Sequence, residues 1–330
     1  MKKLGTFLLS SMLLLMNSCS ETSSPGLEWL GDEVAVRFTT TMNPSVEILP
    51  LTRAEGMIKG ETLPVGEKVG IYGIRTKAGA TLPAWKDATF HRQMKNKQYL
   101  VEENYTLSPE NGEVDYYPFM DSVLTVYAYA PYTDTQNVDG DGYLSVNLSD
   151  QIDYLITGKQ EIPKDRDADE VVKSLPFEHT MGAIAFRFYT SDRELDGTAI
   201  QSIILTLNYN HTTLKMRVAD GAFQGDSSKV EGYGYWIFFE EGTTVDYSLD
   251  PVASIEPIAH TMLVPGGDFK ITQLSLYYKD GMSEKTLDTP ITVEPGKTTV
   301  LTINCQKAEG FTPQLIVEKT GNASSELIPL

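Results

Sequence analysis

The sequence predicts an all-β fold, two antiparallel β-sandwiches in tandem, and three observations carry that expectation. Ten segments have strand character, most of them alternating apolar and polar residues with a period of two and rich in Val, Ile, Thr and Tyr, as half-buried strands are. Turn dipeptides separate them: Asp139-Gly140, Asp141-Gly142, Asp220-Gly221, Asp280-Gly281 and Pro295-Gly296. Helix-period stretches are scarce, and 330 residues suffice for two domains of ordinary size.

In the first half the strands are EVAVRFTTT (Glu33 to Thr41), KVGIYGIRT (Lys68 to Thr76), SVLTVYAYA (Ser122 to Ala130) and YLSVNL (Tyr143 to Leu148). In the third of these, alternation puts Leu124, Val126, Ala128 and Ala130 on one face and Val123, Thr125, Tyr127 and Tyr129 on the other. The first face suits a sandwich interior. The second suits packing beneath a loop with its hydroxyls reaching water. In the second half come GAIAFRFYT (Gly182 to Thr190), IQSIILTLN (Ile200 to Asn208) and LKMRVA (Leu214 to Ala219). YGYWIFF (Tyr233 to Phe239), FKITQLSLYY (Phe269 to Tyr278) and TTVLTINC (Thr298 to Cys305) complete the set. EVAVRFTTT and GAIAFRFYT both run through an Arg-Phe pair into hydroxyl residues, so each reads as the opening strand of a domain. KQEIPKDRDADEVVKSLP (Lys159 to Pro176), charged and bounded by proline, reads as a linker or long crossover. This places one domain at 33–176 and the other at 177–310, followed by a tail at 311–330.

Residues 1–18 read as an export signal. Lys2 and Lys3 precede FLLSSMLLLM (Phe7 to Met16), an apolar run too short to span a bilayer, and Ser18-Cys19 follows where a signal peptidase cuts. The pattern is a relaxed bacterial lipobox, with Met16 and Asn17 standing where Leu and a small residue are usual. A conventionally cleaved signal is the plainer alternative. On the lipobox reading Cys19 carries lipid, palmitate among its acyl chains, and 19–32 form a flexible tether beginning with SETSSPG after the cysteine. The other cysteine, Cys305, alternates with Leu301 and Ile303 and reads as a buried strand thiol. The formal net charge of −18 excludes nucleic acid as a partner and opposes adsorption to anionic head groups.

Constellations that carry chemistry are few, and the expectation is a protein that is no enzyme and uses no cofactor or metal. His91, His179, His211 and His260 are scattered without ligand spacing, and His179 reads as a structural histidine at a strand entrance. Paired carboxylates such as Glu102-Glu103 and Glu240-Glu241 carry little weight in so acidic a chain. Asn137, Asp139 and Asp141 place oxygens at alternate positions, as a calcium loop begins, but Leu148 stands where the bidentate glutamate belongs; a hairpin tip accounts for them. Tyr235 and Trp236 are the candidate glycan contacts, with a structural strand as the plainer reading.

Five phrases, taken in order, resemble the fimbrillin family, pilus subunits and related lipoproteins of anaerobic Gram-negative bacteria. They are VGEKVGIYG (Val65 to Gly73), YYPFMDSVLTVYAYAPY (Tyr116 to Tyr132), LPFEHTMGAIAFRF (Leu175 to Phe188), LVPGGDFKITQLSLYY (Leu263 to Tyr278) and VEPGKTTVLTINC (Val293 to Cys305). The resemblance implies transthyretin-like sandwiches, export to the cell outer membrane as a lipoprotein, and assembly into surface fimbriae that support adhesion. It also implies a mechanism. In these pilins a protease cuts after an arginine beyond the first strand, that strand is lost, and a strand from the next subunit fills the groove by β-addition.

In this sequence LPLTRAEG (Leu49 to Gly56) offers the bond between Arg53 and Ala54. The removable strand carries Val34, Val36 and Phe38, and the tail supplies the candidate donor with Leu315, Val317, Leu327, Ile328 and Leu330. A solvated loop arginine and a frayed last strand are the plainer readings of those two segments. The partners implied are other fimbrial subunits, self or related, the processing protease, the outer membrane through the lipid before processing, and a host or bacterial surface ligand. The alternative is a non-polymerising outer-membrane lipoprotein that binds glycans through Tyr235 and Trp236, or anchors a fimbria.

Overall fold

The computed structural model describes residues 34–327, apart from 43–61, 92–93, 119–121, 135–137, 164–168, 209, 227–233, 256–257, 268, 280, 307–313 and 320–325. The first half contributes β1 (Ala35–Met42), β2 (Lys68–Lys77), β3 (Lys97–Val101), β4 (Thr106–Pro109) and β5 (Asp115–Tyr116). It continues with β6 (Ser122–Ala130), β7 (Tyr143–Val146), β8 (Leu155–Ile156), β9 (Gln160–Ile162) and β10 (Glu170–His179). The second half opens with β11 (Met181–Thr190), β12 (Ile200–Leu207), β13 (Asn210–Arg217), β14 (Phe223–Asp226), β15 (Gly234–Phe238) and β16 (Asp246–Tyr247). After a one-turn helix, α1 (Pro251–Ser254), come β17 (Ile258–Pro265), β18 (Lys270–Tyr278), β19 (Gly281–Thr292), β20 (Thr298–Asn304), β21 (Gln314–Lys319) and β22 (Glu326–Leu327). The protein is all-β, and each of the ten segments read as strands contains one.

The first sheet runs β10-β8-β6-β2-β3-β4-β1-β5, and β1 also pairs with β10, so the hydrogen-bonded ladder closes on itself through β1. A second sheet runs β16-β11-β20-β21-β22 with β17 on β11; a third runs β15-β12-β18-β19, and β14-β13-β7 form a fourth. Most pairings are antiparallel. Among the described residues three are parallel: β1 with β10, β11 with β20, and β11 with β16. β1 and β11, the two strands that share the Arg-Phe pattern, therefore hold matching places, each parallel to a long strand that comes late in its half.

One expectation is corrected here. The charged run Lys159 to Pro176 is not simply a linker, because β9 pairs with β6 and β10 begins at Glu170. Val171, Leu175 and Phe177 face the core while Glu170, Val172 and Glu178 are exposed, and the high charge of the run hides that alternation.

Among the described residues two large apolar cores result, beside a small cluster of Ala185 and Val300. One fills the first sheet, with Phe38, Ile71, Tyr99, Leu124, Val126 and Phe177 among its members. The other begins on the opposite face of β2 and β6, at Tyr72, Ile74, Tyr127 and Tyr129, and continues through Leu144 and Met216 to Phe186, Leu205 and Ile303. It runs past position 176 without a break, and β7 pairs with β13 across the same point.

The tyrosine-rich strand β6 is thus buried on both faces. The segment around Trp85 and Phe90 covers Tyr72 and Tyr127, with Trp85 edge-on to Tyr72 at 5.1 Å. The Tyr129 hydroxyl does not reach water as expected; it donates to Asn96 Oδ1 at 2.8 Å. Burial pushes the Tyr72 pKa up to about 12. Glycine at position 70 makes this packing feasible, since a Cβ there would lie 2.3 Å from the Tyr129 ring.

Candidate functional site

The seat of β1 is the most distinctive site in the described structure. Along one side β1 lies parallel to β10 over eight residues, from Ala35↔Glu170 to Met42↔Phe177. Along the other it pairs antiparallel with β4 at Phe38↔Leu107 and with β5 at Val36↔Asp115. Alternation sends Val34, Val36, Phe38, Thr40 and Met42 inward, and all five are buried. Phe38 is 1% exposed and meets the Tyr99 ring edge-on at 5.8 Å. The outward side chains make surface contacts alone: Arg37 pairs with Glu170, and Thr41 Oγ1 lies 3.2 Å from Ser174 Oγ. Such exposed pairs contribute on the order of 0–1 kcal/mol. The hold on β1 therefore comes from backbone bonds and inward side chains.

The two walls differ in what else supports them. Among the described residues, 170–177 of β10 pair only with β1; its remaining pairing, to β8, begins at Glu178. β5 likewise has β1 as its only strand partner among the described residues, yet several side chains tether it independently. Lys97 Nζ donates to both Asp115 oxygens, at 2.9 and 2.8 Å, and to the Glu113 carbonyl at 3.2 Å. The Tyr99 hydroxyl also donates to Asp115. His91 Nε2 lies 2.6 Å from the Tyr116 carbonyl oxygen, and the Tyr117 hydroxyl donates to the Ile162 carbonyl at 2.9 Å. Burial, and after it the neighbouring Asp115 carboxylate, drive the Tyr99 pKa far up, so this hydroxyl stays a donor. Sequence reasoning missed β5, β10 and the Lys97–Asp115 pair. Only the 171, 175, 177 apolar spacing marked any of them.

The other singled-out residues fall as follows. Cys19, Arg53, Ala54, Ile328 and Leu330 lie outside the described residues. Leu315, Val317 and Leu327 are on β21 and β22, so the tail is strand in this chain: β21 pairs with β20 over six residues, and β22 folds back on β21. His179 Nδ1 lies 2.8 Å from Asp153 Oδ2, with both side chains buried, a structural pairing at the end of β10. Asp139 accepts from the backbone nitrogens of Asp141 and Tyr143 and from Lys215 at 3.0 Å, which is the bonding of a hairpin tip. Among the described residues no group of three or more His, Cys, Asp or Glu is placed to hold a metal ion. The buried Cys305 thiol has its pKa raised by desolvation. Tyr235 and Trp236 point to opposite faces of β15, so they do not form one contact site. Tyr235 is buried. Trp236, 52% exposed, has Phe238 and Tyr277 as its neighbours instead, at 5.8 and 5.0 Å between ring centroids.

Among the described residues the chain is all-β, and its first described strand closes a ladder that would otherwise stand open. A fimbrillin-like family profile matches residues 52–322, and the chain belongs to that family. Among solved structures, a candidate cell adhesion protein from Bacteroides ovatus superposes with a TM-score of 0.54 at 16% identity, covering 87% of this chain and 97% of the other. A candidate cell adhesion protein from Bacteroides uniformis gives 0.52 at 16% identity, with the same coverage of 87% and 97%. Both likenesses concern the fold. No curated protein sequence is significantly similar to the chain.

Proposed function

We propose that the protein is a structural subunit of cell-surface fimbriae, stalk or tip, exported as a lipoprotein through Cys19 and assembled by donor-strand exchange. Cutting between Arg53 and Ala54 frees β1 from the chain that follows it, and a strand from another subunit takes its place. The fimbrillin-like family supports the fimbrial part of this reading. One observation carries the exchange part: among the described residues β1 is the strand seated between β10 on one side and β4 and β5 on the other, so its loss opens a groove with unpaired backbone on two sides. An exposed strand edge recruits another strand by main-chain hydrogen bonding, and alternate side chains fix the register. The tethers on β5 keep that wall in place while the seat is empty.

Treatment of the mature chain with a trypsin-like protease tests the reading. The expected product starts at Ala54 and forms ladders or filaments. A stable monomer after complete removal of residues 20–53 would count against it.

A second reading has its own observation. Trp236, Phe238 and Met282 are among the exposed large apolar residues, and Trp236 and Phe238 lie nearly parallel, 16° apart. This patch suits a glycan ligand on a surface lipoprotein that does not polymerise. Saturable glycan binding lost in Trp236→Ala with the fold intact would support it; unchanged binding in that variant would remove it.

A further inference from the structure

We propose that the strand replacing β1 comes from a subunit of different sequence and not from this chain's own tail. The inference rests on the strand-exchange reading and names the partner for the same site. The seat takes five side chains in a fixed order: Val34, Val36, Phe38, Thr40 and Met42. The third is the demanding one. Phe38 is wholly enclosed, packed edge-on against Tyr99 and opposite Leu107, so a smaller residue there leaves a void. A replacement must run parallel to β10, as β1 does, and offer an apolar pair, then an aromatic, a small or hydroxyl residue and a long apolar one.

The tail cannot meet that order in any register. With Leu315 third, the five inward residues are Phe311, Pro313, Leu315, Val317 and Lys319. Pro313 then lacks an N–H, and Lys319 brings a cation to the place of Met42. Shifting Phe311, the tail's one aromatic residue, to third puts Lys307 and Glu309 in the first two places. The other parity presents Gln314, Ile316, Glu318, Thr320 and Asn322. The tail is, moreover, engaged elsewhere: β21 pairs with Thr299–Asn304 of β20, and leaving would break that ladder. A neighbour whose donor strand repeats the pattern of β1 fits the seat; a second copy of this chain, donating its tail, does not.

The test uses the full mature chain cut after Arg53, with the 19–53 fragment retained and carrying a fluorophore. Four peptides compete for the seat in mild denaturant, and displaced fragment is read by size. They are residues 33–43, the same with Phe38→Ala, residues 311–330, and that tail with Pro313→Val, Leu315→Phe and Lys319→Met. The expected result is displacement by the first, at least tenfold weaker displacement by the second, none by the tail at a hundredfold excess, and recovery with the altered tail. Displacement by the native tail as effective as by residues 33–43 would overturn the proposal and leave strand exchange standing. Failure of residues 33–43 themselves to displace the fragment would overturn the strand-exchange reading and the proposal with it.

Discussion

At the residue scale, the protein's polar groups are held by burial and local partners. The hydroxyl of Tyr129 is such a group, bonded to Asn96 within a closed aromatic cluster. Tyr129→Phe keeps the ring and leaves the Asn96 oxygen without that donor, so chemical denaturation should show a loss of about 1–3 kcal/mol. Gly142 is more constrained. It has φ +87°, and a Cβ there would lie 2.0 Å from Trp85, so even Gly142→Ala must both strain the backbone and displace the indole. Burial also sets the response to alkali. The folded state raises the pKa values of Cys305, Tyr99 and Tyr129, whereas the unfolded thiol and phenols ionise near pH ~8.5 and ~10. Above those values the unfolded chain releases protons that the folded chain keeps, so stability falls as pH rises. Unfolding titrations at pH 8 and above pH ~10 should show that fall, and iodoacetamide should label Cys305 only after unfolding.

At the element scale, β1 and β10 depend on each other. Phe38→Ala in β1 removes a fully enclosed ring and is expected to cost about 3–5 kcal/mol, read by denaturant midpoint. Arg37→Ala, on the outward face of the same strand, should change stability by less than about 1 kcal/mol. The contrast between the two checks which face of β1 holds it. Elements of this kind were only partly visible in the sequence. β1, β2, β6 and β11 announced themselves by clean alternation of Val, Ile, Phe and Tyr. β10 did not, because Glu170, Lys173 and Glu178 interleave with its apolar residues and Pro176 sits within it, a residue that ordinarily argues against a strand. β5 is two residues long, with an aspartate that faces inward only because Lys97 and Tyr99 meet it there, and pattern alone cannot show such a partner.

At the scale of the whole molecule, the chain belongs to the fimbrillin-like family, and among its described residues the first strand closes a sheet otherwise built from residues after position 62. The Arg-Phe echo did pick out β1 and β11, and both prove to lie parallel to a later strand. What sequence could not show is that β1 closes the ladder, a property of pairings between residues more than a hundred apart. On the function proposed above, this strand is a replaceable part of the fold. Hydrogen exchange in the chain cut after Arg53 tests it most directly, comparing the strand-retained, strand-stripped and refilled states. Backbone amides between Val171 and Phe177 that face β1, protected when it is present, are expected to exchange rapidly once it is removed and to regain protection when a fitting strand is added; Pro176 has no amide proton to report. Unchanged protection of β10 in the stripped chain would contradict it.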